Sequence, residues 1–114
     1  MTSDRMRRVD EAVREVLSDA ISLKVKDPRI GFVTVTAVET APDLRRARVF
    51  VSVLGNAGAR KRSLQGLRSA HGILQRAVAS ELRLKQTPAL EFVYDDTSER
   101  GMRIGELIDR EARE

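Results

Sequence analysis

Two runs of β-branched residues on either side of a proline turn constrain this chain more than any other feature. From Ile30 to Glu39, Val33, Val35 and Ala37 alternate with Phe32, Thr34, Thr36 and Val38, the two-residue period of a strand. From Leu44 to Leu54, Ala47, Val49, Val51 and Val53 form an apolar face, and Arg46, Arg48, Phe50 and Ser52 form the other. Pro42-Asp43 between the runs is turn chemistry, and so short a link predicts an antiparallel hairpin.

Helical periodicity flanks this hairpin. From about Ser3 to Lys24, residues Met6, Val9, Val13, Val16, Leu17, Ala20 and Ile21 recur at steps of three and four, which marks one buried helix face. Ser3 is a suitable N-cap, and Asp27-Pro28 ends the run because proline disfavours helix in the residue before it. Gly55-Asn56-Ala57-Gly58 is a loop. From about Arg60 to Leu84 the pattern is helical again, with Leu64, Leu67, Ala70, Leu74, Ala77, Val78 and Leu82 on one face. A third strand follows Pro88, with Leu90, Phe92 and Tyr94 on one side. Asp95-Asp96-Thr97-Ser98 breaks it, and a weak helix carrying Ile104, Leu107 and Ile108 closes the chain, with Gly101 and Gly105 near its start. The order is α-β-β-α-β with a trailing helix. Three strands cannot bury both faces of a sheet by themselves, so the expected fold is α+β, a three-stranded sheet with its helices packed on one face. At 114 residues the chain is expected to be one domain over residues 1–114, frayed at 1–4 and 110–114.

The charge is unevenly placed. The whole chain carries a formal +4, yet Leu44 to Lys85 holds ten Lys or Arg residues and one acid, Glu81, for a net +9. A basic middle between a near-neutral and an acidic flank suggests a face that meets a polyanion. No apolar run has the length of a membrane span, and no apolar segment follows the early charges as in a signal peptide. The chain has no cysteine and one histidine, His71. That excludes disulfides, thiolate metal sites and cysteine nucleophiles, argues against a histidine-based metal site, and fits a reducing cytoplasm.

At about 100° per residue, Lys61, Gln65, Arg68, Gly72, Arg76 and Arg83 fall in a stripe apart from the apolar one. With Lys85 and with Arg45, Arg46 and Arg48 of the second strand, these cations are the candidate phosphate-binding residues, since guanidinium donors match phosphate oxygens. Such a run is more often a solvated face, but solvated faces mix signs and this one hardly does. Arg5, Arg7 and Arg8 form a second basic group. Gly72 lies inside the stripe, where a phosphate could approach the main chain; a glycine tolerated for packing is the plain alternative. His71, at the edge of the apolar face, reads as a packed histidine. Glu91, Asp95, Asp96 and Glu99 have the composition of a Mg²⁺ site, although acids near a helix start are also ordinary. Phe92 and Tyr94 read as core. Phe50, beside Arg48, reads as packing before base stacking. No P-loop, dinucleotide fingerprint, nucleophile elbow or glycine-rich signature of the RNA-recognition motif is present.

These residues resemble a family. Asp27-Pro28-Arg29, Val33-Thr34-Val35-Thr36, Pro42-Asp43-Leu44 and Ala47-Arg48-Val49-Phe50-Val51-Ser52-Val53-Leu54-Gly55 are similar to the hairpin of bacterial ribosome-binding factor A. Arg8-Val9, Ala70-x-Gly72, Leu82-Arg83-Leu84, Pro88-x-Leu90-x-Phe92 and Asp96-x-Ser98 with Gly101 agree in order. The likeness runs from about residue 5 to residue 108. It implies a KH-type fold of the second topology and a small-subunit assembly factor that binds the 30S particle or its precursor. It also implies support of 16S rRNA maturation and a link to growth in the cold. In that family an Ala-x-Gly kink, here Ala70 and Gly72, replaces the Gly-x-x-Gly loop with which other KH domains clamp RNA. Family members often carry a longer C-terminal tail than one ending at Glu114.

The expected activity is therefore RNA binding without catalysis, with no cofactor and no metal. The expected partners are the 30S subunit, its 16S rRNA and other assembly factors, met by a cytoplasmic monomer that does not engage membranes. Two other classes remain open on residues alone: a general nucleic-acid module that also accepts DNA, and a metal-dependent ribonuclease using the acidic group.

Overall fold

A computed structural model describes residues 4–97. Ser3, Ser98, Glu99 and the closing segment with Ile104, Leu107 and Ile108 lie outside them. Helix α1 (Asp4–Leu23) precedes strands β1 (Val33–Thr40) and β2 (Arg46–Val53); helices α2 (Ala57–Ser69) and α3 (His71–Glu81) then lead to β3 (Ala89–Tyr94). The strands lie in the order β1-β2-β3. β1 pairs antiparallel with β2, and β2 pairs parallel with β3. A parallel neighbour needs a crossover, and α2 with α3 supply it.

The hairpin turn is built locally. The Leu44 amide donates to Ala41 O at 2.8 Å, and Asp43 Oδ1 accepts from the Arg45 amide at 3.0 Å. Leu44 follows the turn in the left-handed region, with φ of 61°, and the Ala41 amide donates to Arg46 O at 2.8 Å to close a loop of four residues, 42–45. Pro42 supplies the fixed φ wanted at the turn's first central position.

One layer of apolar side chains joins helices to sheet. Val13, Leu17, Ala20 and Ile21 of α1, Leu67, Leu74, Ala77 and Val78 of α2 and α3, and Ala47, Val49, Val51, Leu90 and Phe92 of the sheet belong to one buried cluster. β1 departs from simple alternation. Val35 pairs with Val51 and Ala37 with Phe50, so the register shifts at Thr36. Beyond this bulge Val38, not Ala37, enters the core, and Ala37 is exposed. An extra residue in one strand reverses the facing of those that follow it. The bulge has a polar partner: Thr36 Oγ1 donates to Asp95 Oδ2 at 2.6 Å and lies 3.2 Å from Phe50 O.

The outer edge of β3 is covered by side chains of the helices. Gln75 Nε2 donates to Pro88 O at 2.6 Å, the Leu90 amide donates to Gln75 Oε1 at 3.2 Å, and Arg68 Nη2 lies 3.4 Å from Phe92 O. An unpaired strand edge is a template for association, and side chains that occupy its ladder remove it.

Candidate nucleic-acid interface

The basic helical segment breaks in the middle. Asn56 caps α2, its Oδ1 accepting from the Ala59 amide at 2.9 Å. At the far end Ala70 has φ −85° and ψ 9°. Its amide donates to Gly66 O at 3.0 Å and lies 3.1 Å from Leu67 O, and its carbonyl accepts from the Leu74 amide at 3.1 Å. Ala70 thus closes the ladder of α2 and opens that of α3, and no backbone bond runs from the amides of residues 71–73 to the carbonyls of residues 67–69, so the helix is interrupted there. Ala70 itself is buried, and its methyl group holds the bend against the core. Gly72 follows in the first turn of α3, and a Cβ at that position would have nothing within 4 Å. Packing therefore gives no reason for glycine there.

The bend sorts the predicted stripe. Lys61 and Arg68 are exposed on α2, and Gly72 and Arg76 are exposed on α3. Arg83 and Lys85 are exposed but lie past the helix, which ends at Glu81 and not at Leu84. Leu82 turns extended, with φ −109° and ψ 109°, and its partly buried side chain packs on the core as the chain returns toward β3. Among the described residues Lys61, Arg68, Arg76, Arg83 and Lys85 form no ion pair; the ion pairs are Arg7–Asp4, Arg14–Glu11 and Arg29–Asp27. Of the five, Arg68 also reaches a backbone carbonyl, Phe92 O at 3.4 Å.

Arg46 and Arg48 do not extend this surface. They lie on β2, the central strand, and alternate with Ala47 and Val49, which point into the core beneath the helices. Arg46 and Arg48 consequently face the opposite side of the sheet. There Arg48 is flanked across the strands by Glu39 and Glu91, its register partners, so that row carries mixed charge. Arg45 is exposed just before β2, at the turn. Arg5, Arg7 and Arg8 are exposed in the first turns of α1, where Arg7 meets Asp4 at 3.6 Å.

The acidic residues do not gather. Glu91 and Asp95 are four positions apart along extended chain, roughly 13 Å at 3.3 Å per residue. Asp95 Oδ2 accepts from Thr36, and Asp95 Oδ1 accepts from the Thr97 amide at 3.0 Å. Among the described residues no three His, Cys, Asp or Glu side chains are grouped to hold a metal ion. Glu99 lies outside the described residues. Phe92 is core, Tyr94 is half-buried with the Arg60 guanidinium 3.9 Å over its ring, and Phe50 is half-buried on the open sheet face beside Val93. His71 is half-buried. Among the described residues no helix is long and apolar enough to cross a membrane.

One carboxylate is strongly perturbed. Hydrogen bonds from the Arg29 guanidinium, and then from the Arg29 backbone amide, pull the Asp27 carboxyl down to about 2. The guanidinium contact is 2.6 Å at Nη2, and the amide contact is 2.9 Å. This turn is fixed to α2: buried Ser63 Oγ accepts from the Gly31 amide at 3.2 Å, and Ile30 lies against Gly66.

The fold is a two-layer α+β domain whose exposed cations on a bent helix pair have no ion pair among the described residues, the charge pattern suited to a large polyanion. A profile of the family described as "Ribosome-binding factor A" matches residues 5–108. The ribosome-binding factor A of Halothermothrix orenii is 44% identical over 108 residues, spanning 95% of this chain and 88% of that one. The crystal structure of ribosome-binding factor A from Thermus thermophilus superposes with a TM-score of 0.70 at 26% identity, over 78% of this chain and 94% of that one. Thermus thermophilus coordinates fitted into the cryo-EM map of a complex with the 30S particle superpose with a TM-score of 0.59 at 28% identity, over 83% of this chain and 96% of that one. The chain belongs to the ribosome-binding factor A family.

Proposed function

We propose that this protein is a small-subunit assembly factor of KH type, second topology, that binds the 30S particle or its precursor and promotes 16S rRNA maturation without catalysis. The observation that carries the reading is the set of exposed cations along α2, the Ala70 bend and α3, none of them held by a carboxylate among the described residues. Such groups bind phosphates by charge and position. The helical break stands where other KH domains place their single-strand clamp, which favours recognition of already folded RNA by its shape and backbone. The Thermus relative fitted into a 30S complex supports the same partner. Lys61, Arg68, Arg76, Arg83 and Lys85 hold phosphates, and Ala70 and Gly72 shape the approach. Arg46 and Arg48 are outside this primary surface. The protein acts as a cytoplasmic monomer over a single domain of residues 1–114, needs no cofactor, and works by favouring one RNA arrangement through its differential affinity for the two. Growth in the cold, where misfolded RNA is slow to rearrange, is where its loss is felt.

The test is cosedimentation of Arg68→Gln/Arg76→Gln/Arg83→Gln with 30S particles over a salt series. Each lost phosphate contact lowers the salt slope by about 0.7–0.9. The expected result is a slope reduced by about two and binding lost at moderate salt, with the variant still folded at the assay temperature, since Arg68 also gives up its contact with Phe92 O. Wild-type cosedimentation by this variant removes the helical face from the site.

A further inference from the structure

The hairpin ends in an apolar pair that the core does not use. Leu54 donates its amide to Phe32 O at 3.0 Å, one step beyond the Val33–Val53 pair. Val33 and Val53 point toward the core, so Phe32 and Leu54 point away from it. Phe32 is 80% exposed and Leu54 75% exposed. This is the most exposed aromatic of a chain with three phenylalanines and one tyrosine. Phe32 also borders a groove of about 560 Å³ whose lining includes Val25, Lys26, Asp27, Ile30 and Val33.

Cations lie near the pair, and the one acid that lines the groove is itself paired. Lys26 lies on one side. On the other, Leu54 leads into Gly55, Asn56 and the first turn of α2, where Arg62 Nη1 comes within 3.2 Å of the position a Cβ on Gly58 would take. Neither Lys26 nor Arg62 forms an ion pair among the described residues. The nearby acid, Asp27, is already held by Arg29 at 2.6 Å. A purely apolar partner would leave two cations to be desolvated without compensation, and a bare phosphate would have no use for an exposed phenyl ring. A nucleotide uses both, with its base on the ring and its phosphates on the flanking cations. Ser63 and Gly66 tie the Arg29–Phe32 segment to α2, so this platform is continuous with the basic helix.

We propose that Phe32 and Leu54 form a stacking platform for an unpaired base of RNA, with its phosphates on Lys26 and Arg62. The inference rests on the RNA-binding reading above and adds a second contact of a different kind. The experiment uses the full chain and 30S particles. Phe32→Leu is expected to weaken binding at least fivefold with an unchanged salt slope, because stacking and not charge is lost, while Phe32→Trp restores binding. Replacing Phe32 by the photocrosslinker p-benzoylphenylalanine and irradiating the complex is expected to give an adduct that ribonuclease destroys. Wild-type affinity for Phe32→Leu, an adduct with a ribosomal protein, or no adduct at all overturns the proposal. Normal binding by the triple arginine variant together with loss in Phe32→Leu would instead overturn the helical-face reading and leave the platform standing.

Discussion

Gly66 and Gly72 lie on either side of the Ala70 bend for opposite reasons. At Gly66 a Cβ would sit 2.6 Å from Ile30 Cγ1, a methylene near the base of the side chain and not its free end, so the Ile30 side chain would have to shift. Gly66→Ala is therefore expected to destabilise the protein by about 1–3 kcal/mol, as overpacking does, read as a lower urea midpoint. At Gly72 a Cβ meets nothing, and alanine is the better helix former by about 1 kcal/mol. Gly72→Ala is expected to raise stability and yet weaken cosedimentation with 30S particles, because the added methyl group stands where the main chain can be approached. Asp27 gives a prediction in pH. Its carboxyl is held at about 2 in the folded protein by Arg29, below the unfolded value of about 3.9. Its contribution to stability is thus complete above the unfolded value and is lost as pH falls through the folded one. A carboxyl NMR titration should show Asp27 with a midpoint near 2, moving upward in Arg29→Ala.

Among the elements, β3 is the most dependent on its neighbours. It is an edge strand, and Gln75 from α3 occupies both Pro88 O and the Leu90 amide. Gln75→Ala leaves two backbone groups without these partners and is expected to cost about 1–3 kcal/mol. The urea midpoint should fall while the denaturant slope stays constant. The element pattern was largely legible in the chain. Val13, Leu17, Ala20 and Ile21 define the inner face of α1, and Ala47, Val49, Val51 and Val53 that of β2, and all are buried. Two features were not legible. Alternation among Val33, Thr34, Val35, Thr36, Ala37 and Val38 contains no mark of an inserted residue, since every side chain there suits a strand; the polar partner of the bulge, Asp95, lies far along the chain. The end of α3 was hidden because Leu82-Arg83-Leu84 continues a helical period. The return to β3, which no local window contains, decides it.

For the molecule as a whole, what matters is sidedness. The arginines of β2 alternate with buried Ala47 and Val49, so in a two-layer fold they must face away from the helices. Alternation plus layering therefore already separated Arg46 and Arg48 from the helical cations. Net charge over a stretch of chain does not, because it ignores which face each residue takes. The cross-strand row Glu39–Arg48–Glu91 completes the distinction by neutralising that face. The family was legible in the hairpin motif. The Phe32–Leu54 platform was not, because a strand end with an outward aromatic looks the same whether that ring meets solvent or a neighbouring element.

The side-chain cover along β3 bears on how such a protein survives at high concentration. Polymers built by strand exchange need a vacant ladder on which to seed. Here a glutamine amide imitates the missing neighbour and closes much of that rim from within. At that rim a second copy of the chain finds few vacant groups to pair with.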